Sequence, residues 1–217
     1  MDSAILKPTP FPVRRSQTGK REQTKVQNRQ QILDAARLVF AELGYGATTV
    51  RDIIRATPLA SGTFYNYFKD KDEIFAAVVG EMSVELMKRH RQGRAKARTA
   101  EEFFRGHISV YLNFVANDPE VLAFGRNNIT PVRMLMEKPD LQVMAHALHN
   151  DIAEAIAKGI LPDVDVPYLA AALSGVVFES SIIMVSREPV NPEETTEFAT
   201  RLMMGGFANL PKRRADS

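Results

Sequence analysis

Residues 48–71, Thr-Thr-Val-Arg-Asp-Ile-Ile-Arg-Ala-Thr-Pro-Leu-Ala-Ser-Gly-Thr-Phe-Tyr-Asn-Tyr-Phe-Lys-Asp-Lys, constrain this chain more than any other stretch. A short helix opens at Thr49, a tight break follows at Thr57-Pro58, and a second short helix is expected through Gly62–Phe68. Two short helices a few residues apart, dense in hydroxyl, aromatic and basic side chains, suit insertion into a DNA major groove.

The charge distribution points the same way. Residues 1–72 hold 12 Lys/Arg against 7 Asp/Glu, a net of +5. Residues 73–98 hold 6 against 3, a net of +3, and residues 99–217 hold 10 against 16, a net of −6. A basic front and an acidic back fit a polyanion-binding head on a body that avoids the polyanion. With 217 residues the chain has room for one large domain or two smaller ones. It contains no Cys, which excludes a disulfide framework and thiolate metal sites. No apolar run approaches the roughly 18–20 residues of a bilayer span and no signal-peptide pattern opens the chain. A cytoplasmic protein without membrane association is the expectation.

Residues 1–24, with Pro8, Pro10 and Pro12 followed by Arg14, Arg15, Lys20 and Arg21, read as a flexible basic arm that either contacts DNA or is simply disordered. From Gln27 the pattern is helical: Ile32, Ala35, Ala36, Val39, Phe40 and Leu43 mark one buried face, and Gly44 and Gly46 stop it. Thr49 can cap the next helix. A long helix from Asp72 to about Arg98 buries Ile74, Phe75, Val78, Val79, Met82 and Leu86. Thr99-Ala-Glu-Glu102 is a capping-box signature opening a helix striped with Phe103, Phe104, His107, Ile108, Tyr111, Leu112 and Val115. Asp118-Pro119 starts a short helix that Asn128–Pro131 breaks. Helical material through Leu141, Met144 and Ile156 follows, then a small-residue helix from Pro167 to Arg187 and a last one after Asn191-Pro192. The fold is expected to be all-α, divided into the arm (1–24), a DNA-binding domain (25–85, helix-turn-helix 49–68) and a helical ligand-binding and dimerisation domain (86–217).

Arg29 to Val79 resembles the DNA-binding domain of the TetR family of transcriptional regulators. The matching residues are Ile32-Leu33-Asp34-Ala35-Ala36, Phe40, Gly44-Tyr45, Ala47-Thr48-Thr49-Val50, Ile53, Gly62 to Phe68, Lys71 and Glu73-Ile74-Phe75. The resemblance implies a three-helix DNA-binding head, a helical ligand-binding body and a homodimer on a double-stranded, palindromic operator. It also implies phosphate contact for Lys71 and Tyr67 and DNA contact for Tyr65. The turn departs from the family's Ala-Gly-Val-Ser: here Thr57-Pro58-Leu59-Ala60 puts a φ-fixed proline where glycine is usual and removes the serine cap.

From their chemistry, Thr49 and Arg51 can hold phosphates through hydroxyl, backbone N–H and guanidinium. Ser61, Thr63 and Tyr65 lie where side chains reach base edges or thymine methyls, and Tyr67, Lys69 and Lys71 can grip the backbone beside them. Asn66 either reads adenine or is a plain exposed polar residue. Phe64 and Phe68, four apart, pack the reading helix onto Ile32, Phe40 and Ile53.

In the body, Phe103, Phe104, His107, Tyr111, Phe114, Phe124, Met134, Met144 and Phe178 are candidate walls of an apolar cavity, with Arg126, Asn127, His149 and Glu179 as polar members. These imply a small hydrophobic or amphipathic effector. His107 sits on the inward stripe, as a satisfied core histidine or as a ligand contact. His146 and His149 are spaced for a metal edge but lack a third ligand in sequence, so no metal and no cofactor are expected. The chain has no Gly-rich phosphate loop, Gly-x-Ser-x-Gly elbow or His-Glu-x-x-His, so an enzyme is not expected. Two rivals stay open. A helical small-molecule protein with a vestigial head would show no specific, salt-dependent DNA binding, and an architectural binder driven by the arm would show little sequence preference.

Overall fold

The computed structural model describes residues 17–94, 97–136, 143–207 and 210. These form ten helices and, among the described residues, no strand. They are α1 Gln17–Ala47, α2 Val50–Arg55, α3 Ser61–Phe64, α4 Lys71–Arg94, α5 Ala100–Ala116, α6 Pro119–Asn127, α7 Ile129–Met136, α8 Val143–Ala157, α9 Val166–Val185 and α10 Pro192–Phe207. Helix α1 already runs at Gln17, so residues 17–24 of the expected arm are helical. The remainder of the arm, with Arg14 and Arg15, and Leu141 lie outside the described residues, as does the side chain of Met144.

The first four helices close around Ile32, Phe40, Ile53, Phe64, Phe68, Ile74 and Phe75, the packing that the sequence pattern anticipates. Helix α1 breaks at Gly44, whose φ of 73° only glycine adopts without strain. Space also demands glycine there, because a Cβ would lie 3.0 Å from the Asn127 carbonyl oxygen. A second core gathers Phe104, Ile108, Leu112, Ile152, Leu173 and Phe207 between α5, α8, α9 and α10. The expected division at residues 85 and 86 falls inside α4. Its Phe75 and Val78 pack in the first core and its Leu86 in the second.

Several local expectations change in detail. Thr99 accepts the Glu102 N–H at 3.2 Å, but the Glu102 carboxylate takes the N–H of Arg98, so only half a capping box forms. The full box stands at α2, between Thr49 and Asp52. The helix broken at Asn128 resumes at once as α7, because Pro131 falls in its first turn, where a missing N–H costs nothing. Helix α9 corrects the reading of apolar length: it averages a hydropathy of 1.8 and is long and apolar enough to cross a membrane. One of its faces is buried in the second core, while Tyr168, Ala171, Ala172, Gly175 and Ile183 form an exposed stripe on the other.

Candidate nucleic-acid interface and internal cavities

The break between α2 and α3 is held by the Thr57 hydroxyl, which donates to the Ile54 carbonyl at 2.9 Å and accepts the Leu59 N–H at 3.3 Å. Ala60 caps α3 without any side-chain hydrogen bond, and the helix stops at Phe64 rather than Phe68. Residues 65–67 continue as a turn, with the Tyr67 and Phe68 N–H groups on the Phe64 carbonyl at 2.9 and 3.1 Å. Ser, Gly, Thr, Tyr and Asn are weak helix formers and no cap compensates, so buried Phe64 and Phe68 fix the segment instead.

Ser61, Tyr65, Asn66 and Lys69 are exposed on this segment, with Tyr65 at 61%, and Thr63 and Tyr67 are half-buried. Arg51 and Arg55 are exposed on α2. Two expected phosphate ligands are turned to internal use. The Thr49 hydroxyl and N–H both bond the Asp52 carboxylate, which occupies the start of α2 where an anion would sit. Those hydrogen bonds hold the Asp52 carboxyl below its usual range. The Lys71 ammonium donates to the carbonyls of Tyr45 at 2.7 Å and Thr48 at 2.9 Å, and lies 4.4 Å from the Tyr45 ring centre. One of its three N–H donors is left for a phosphate. Tyr45 in turn donates to Asp72, and that bond, with burial and the Asp72 and Asp70 charges, pushes the phenol up to about 12.

The joint between head and body could not be read from residue spacing. Asn128 is fully buried. Its amide donates to the carbonyls of Phe40 at 2.8 Å and Phe124 at 2.9 Å, and its oxygen accepts the Tyr45 N–H at 2.7 Å. Asn127 donates to the Ala41 carbonyl at 2.6 Å, and Arg37 pairs with Glu120 at 3.3 Å. Phe124 stacks on Phe75 with ring centres 5.7 Å apart.

The other face of Phe124 lines an apolar cavity of about 90 Å³ between α4, α5, α6, α7 and α9. Of the residues expected there, Tyr111, Phe114, Phe124 and Phe178 are present. Met82, Gly125, Ile129, Val132 and Ser181 join them without having been anticipated. Among the described residues, no charged side chain lines this space. Burial raises the Tyr111 phenol, and a hydrogen bond with Ser181 partly offsets this.

The remaining candidates lie elsewhere. Phe104 is locked edge-on against Phe207 at 5.0 Å in the second core, and Met134 is 64% exposed. Arg126 is bound to the Val185 carbonyl and to Glu188, each at 2.7 Å, and Glu179 pairs with Arg133 at 2.7 Å. Asn127 is spent on α1. His149 neighbours His146 on α8, and among the described residues no group of three or more His, Asp or Glu is arranged to hold a metal ion. His107 lines a separate cavity between α4, α5 and α8.

Residues 32–78 match the family described as bacterial regulatory proteins, tetR family. The fatty acid degradation regulator FadR of Bacillus halodurans superposes with a TM-score of 0.70 at 22% identity, over 85% of this chain and 97% of that one. FadR of Bacillus subtilis, solved with stearoyl-CoA, gives 0.70 at 23% identity, over 82% and 98%. A TetR-family transcriptional regulator of Pectobacterium atrosepticum gives 0.66 at 25% identity, over 88% and 98%.

Proposed function

Because the chain belongs to the TetR family and is a DNA-binding transcriptional regulator, we propose that it acts as a homodimeric repressor released from its operator by a small hydrophobic or amphipathic ligand. The observation that carries this reading is Phe124, which is one wall of the apolar cavity and, on its other face, part of the head's core. Four residues beyond it, Asn128 holds the end of α1, and Tyr45 and Lys71 carry that grip to Thr48 and the start of α2.

At about 90 Å³ the cavity is smaller than the roughly 150 Å³ apolar cavity known to take up benzene. A ligand must therefore part α6 and α7 from α4 as it enters, moving Phe124 with them. The ligand-bound body and the DNA-bound head then favour different positions of α6, which is the differential binding that release requires. A charged group entering the cavity would lose its hydration with no opposite charge among the described lining residues to replace it, so the inserted part is neutral. A mixed cleft lined by Arg37, Glu81, Glu85 and Arg89 shares Met82, Phe114 and Val121 with the cavity and offers a place for a polar head group. The stearoyl-CoA complex of the Bacillus subtilis relative supports an amphipathic effector.

The exposed stripe of α9, with Phe198 and Leu202 of α10, supports a dimer of four packed helices. A Cβ at Gly175 would meet nothing within 4 Å inside the protomer, so its smallness suits the approach of a second helix. In that dimer Tyr65, Ser61, Thr63 and Asn66 read base edges, and Arg51, Lys69, Tyr67 and the free proton of Lys71 reach phosphates. This is the action of a binding protein rather than an enzyme, in the compartment that holds the DNA. Footprinting on DNA flanking its own gene tests it: a protected palindrome lost on adding long-chain acyl compounds supports the reading, and protection without sequence preference refutes it.

A further inference from the structure

Helix α3 has four residues, far fewer than a helix needs to hold its own shape, and no side chain caps it. Phe64 and Phe68 bury its far end and the turn that follows. Its leading end has no such anchor: Ser61 and Gly62 are exposed and Thr63 is half-buried. The angle at which α3 is presented therefore depends on the chain that enters it. That chain is short, Thr57-Pro58-Leu59, between the caps Ala56 and Ala60. Pro58 has no N–H to fix it. Thr57 bonds on both sides of the proline, its hydroxyl donating to the Ile54 carbonyl at 2.9 Å and accepting the Leu59 N–H at 3.3 Å. Both capacities of the hydroxyl are thus used within the protein. Ile54, on α2, and Leu59, before α3, each pack against the core of the head. The Ala60 carbonyl then accepts the Thr63 N–H at 2.8 Å, so one residue separates the bonded Leu59 from the first turn of α3.

We propose that Thr57 is a positioning residue for DNA recognition. Its hydroxyl ties the end of α2 to the entry of α3 and so sets where Ser61, Thr63 and Tyr65 stand against base edges. This rests on the reading of α3 as the base-reading segment and is independent of the apolar cavity.

The test measures fluorescence anisotropy of the full-length protein on two duplexes, the footprinted site and a scrambled sequence of the same length and composition. Thr57→Val keeps the shape of the side chain and loses both bonds. It should bind the footprinted site roughly tenfold more weakly, the scale of one mismatched base pair. On the scrambled duplex it should bind as wild type does, because Arg51, Lys69 and Lys71 still reach phosphates. Its melting temperature should fall by roughly 2–4 °C, which leaves it folded in the assay. Thr57→Ser keeps the hydroxyl and should bind both duplexes as wild type does. Wild-type affinity of Thr57→Val for the footprinted site, equal losses on the two duplexes, or a Thr57→Ser protein as weak as Thr57→Val each overturn the proposal. Tyr65→Ala, measured alongside, separates the two readings. If it keeps the wild-type preference, the reading role of α3 falls and the proposal with it. If it loses that preference while Thr57→Val keeps it, the proposal alone falls.

Discussion

Replacing Asn128 with Ala removes three hydrogen bonds from a site that water does not reach. The side chain is fully buried, and its partners are the Phe40 and Phe124 carbonyls and the Tyr45 N–H. Each bond contributes about 1 kcal/mol net, and a buried group left unpaired costs about 1–3 kcal/mol. The sum is a loss of about 3–5 kcal/mol, a large share of the roughly 5–15 kcal/mol that holds a domain folded. At about 2–4 °C per kcal/mol, the melting temperature should fall by roughly 10 °C. Asn127→Ala is the internal comparison. It loses one bond at an exposed residue and should cost about 1 kcal/mol or less. Urea unfolding with circular dichroism and thermal melting measure both. An Asn128→Ala protein within about 1 kcal/mol of wild type, or no more affected than Asn127→Ala, would refute the view that this residue holds head to body.

Gly44→Ala should cost about 1–3 kcal/mol, from its left-handed φ and from a methyl 3.0 Å from the Asn127 oxygen, measured by the same unfolding curves. Tyr65→Ala should leave stability within about 0.5 kcal/mol, since the ring is 61% exposed, yet change operator preference in a binding-site selection; an unchanged selected sequence removes α3 from the reading role. Tyr45 titrates at about 12, above the unfolded value of 10, so its contribution is full below about pH 10 and is lost as pH rises from there toward 12. Tyr45→Phe should therefore lose less stability than wild type across that alkaline window, and parallel profiles would contradict the Asp72 bond. Gly175→Glu should yield monomers by light scattering, and an intact dimer would place the interface elsewhere.

Periodicity made the helices legible. Ile32, Phe40, Ile74, Phe75, Phe104 and Ile108 all sit inward as their spacing requires. The helix-turn-helix segment was legible from its residue types, and Ser61, Tyr65, Asn66 and Lys69, the side chains proposed to meet DNA there, are exposed. Residues with one-off tasks were not legible. Lys71 and Thr49 have the chemistry of phosphate ligands, but what they bond is decided by Tyr45, Thr48 and Asp52, which only the folded turn brings into range. Asn128 looks like a helix breaker in sequence, because a single buried amide at a junction has no period to betray it. The apolar cavity draws on five helices, so a stripe on α5 could supply Tyr111 and Val115 but not Gly125 or Ile129. The same stripe carries Phe104 and His107, which face a core and a different cavity.

The coupling of cavity to head can be tested without knowing the ligand, by building one in. Gly125 lines the apolar cavity on α6, and a Cβ there would meet only Val115 at an ordinary 3.7 Å. Gly125→Ala should therefore bind the footprinted DNA as wild type does, with stability raised by about 0.5–1 kcal/mol from helix propensity. Gly125→Leu sends three more carbons into a space of about 90 Å³ and should press α6 away from α4, as is proposed for the ligand. Fluorescence anisotropy on the footprinted site should show Gly125→Leu, folded by circular dichroism, binding at least about fivefold more weakly, the lower end of ordinary allosteric coupling. A folded Gly125→Leu protein that binds the site as tightly as Gly125→Ala would contradict the account.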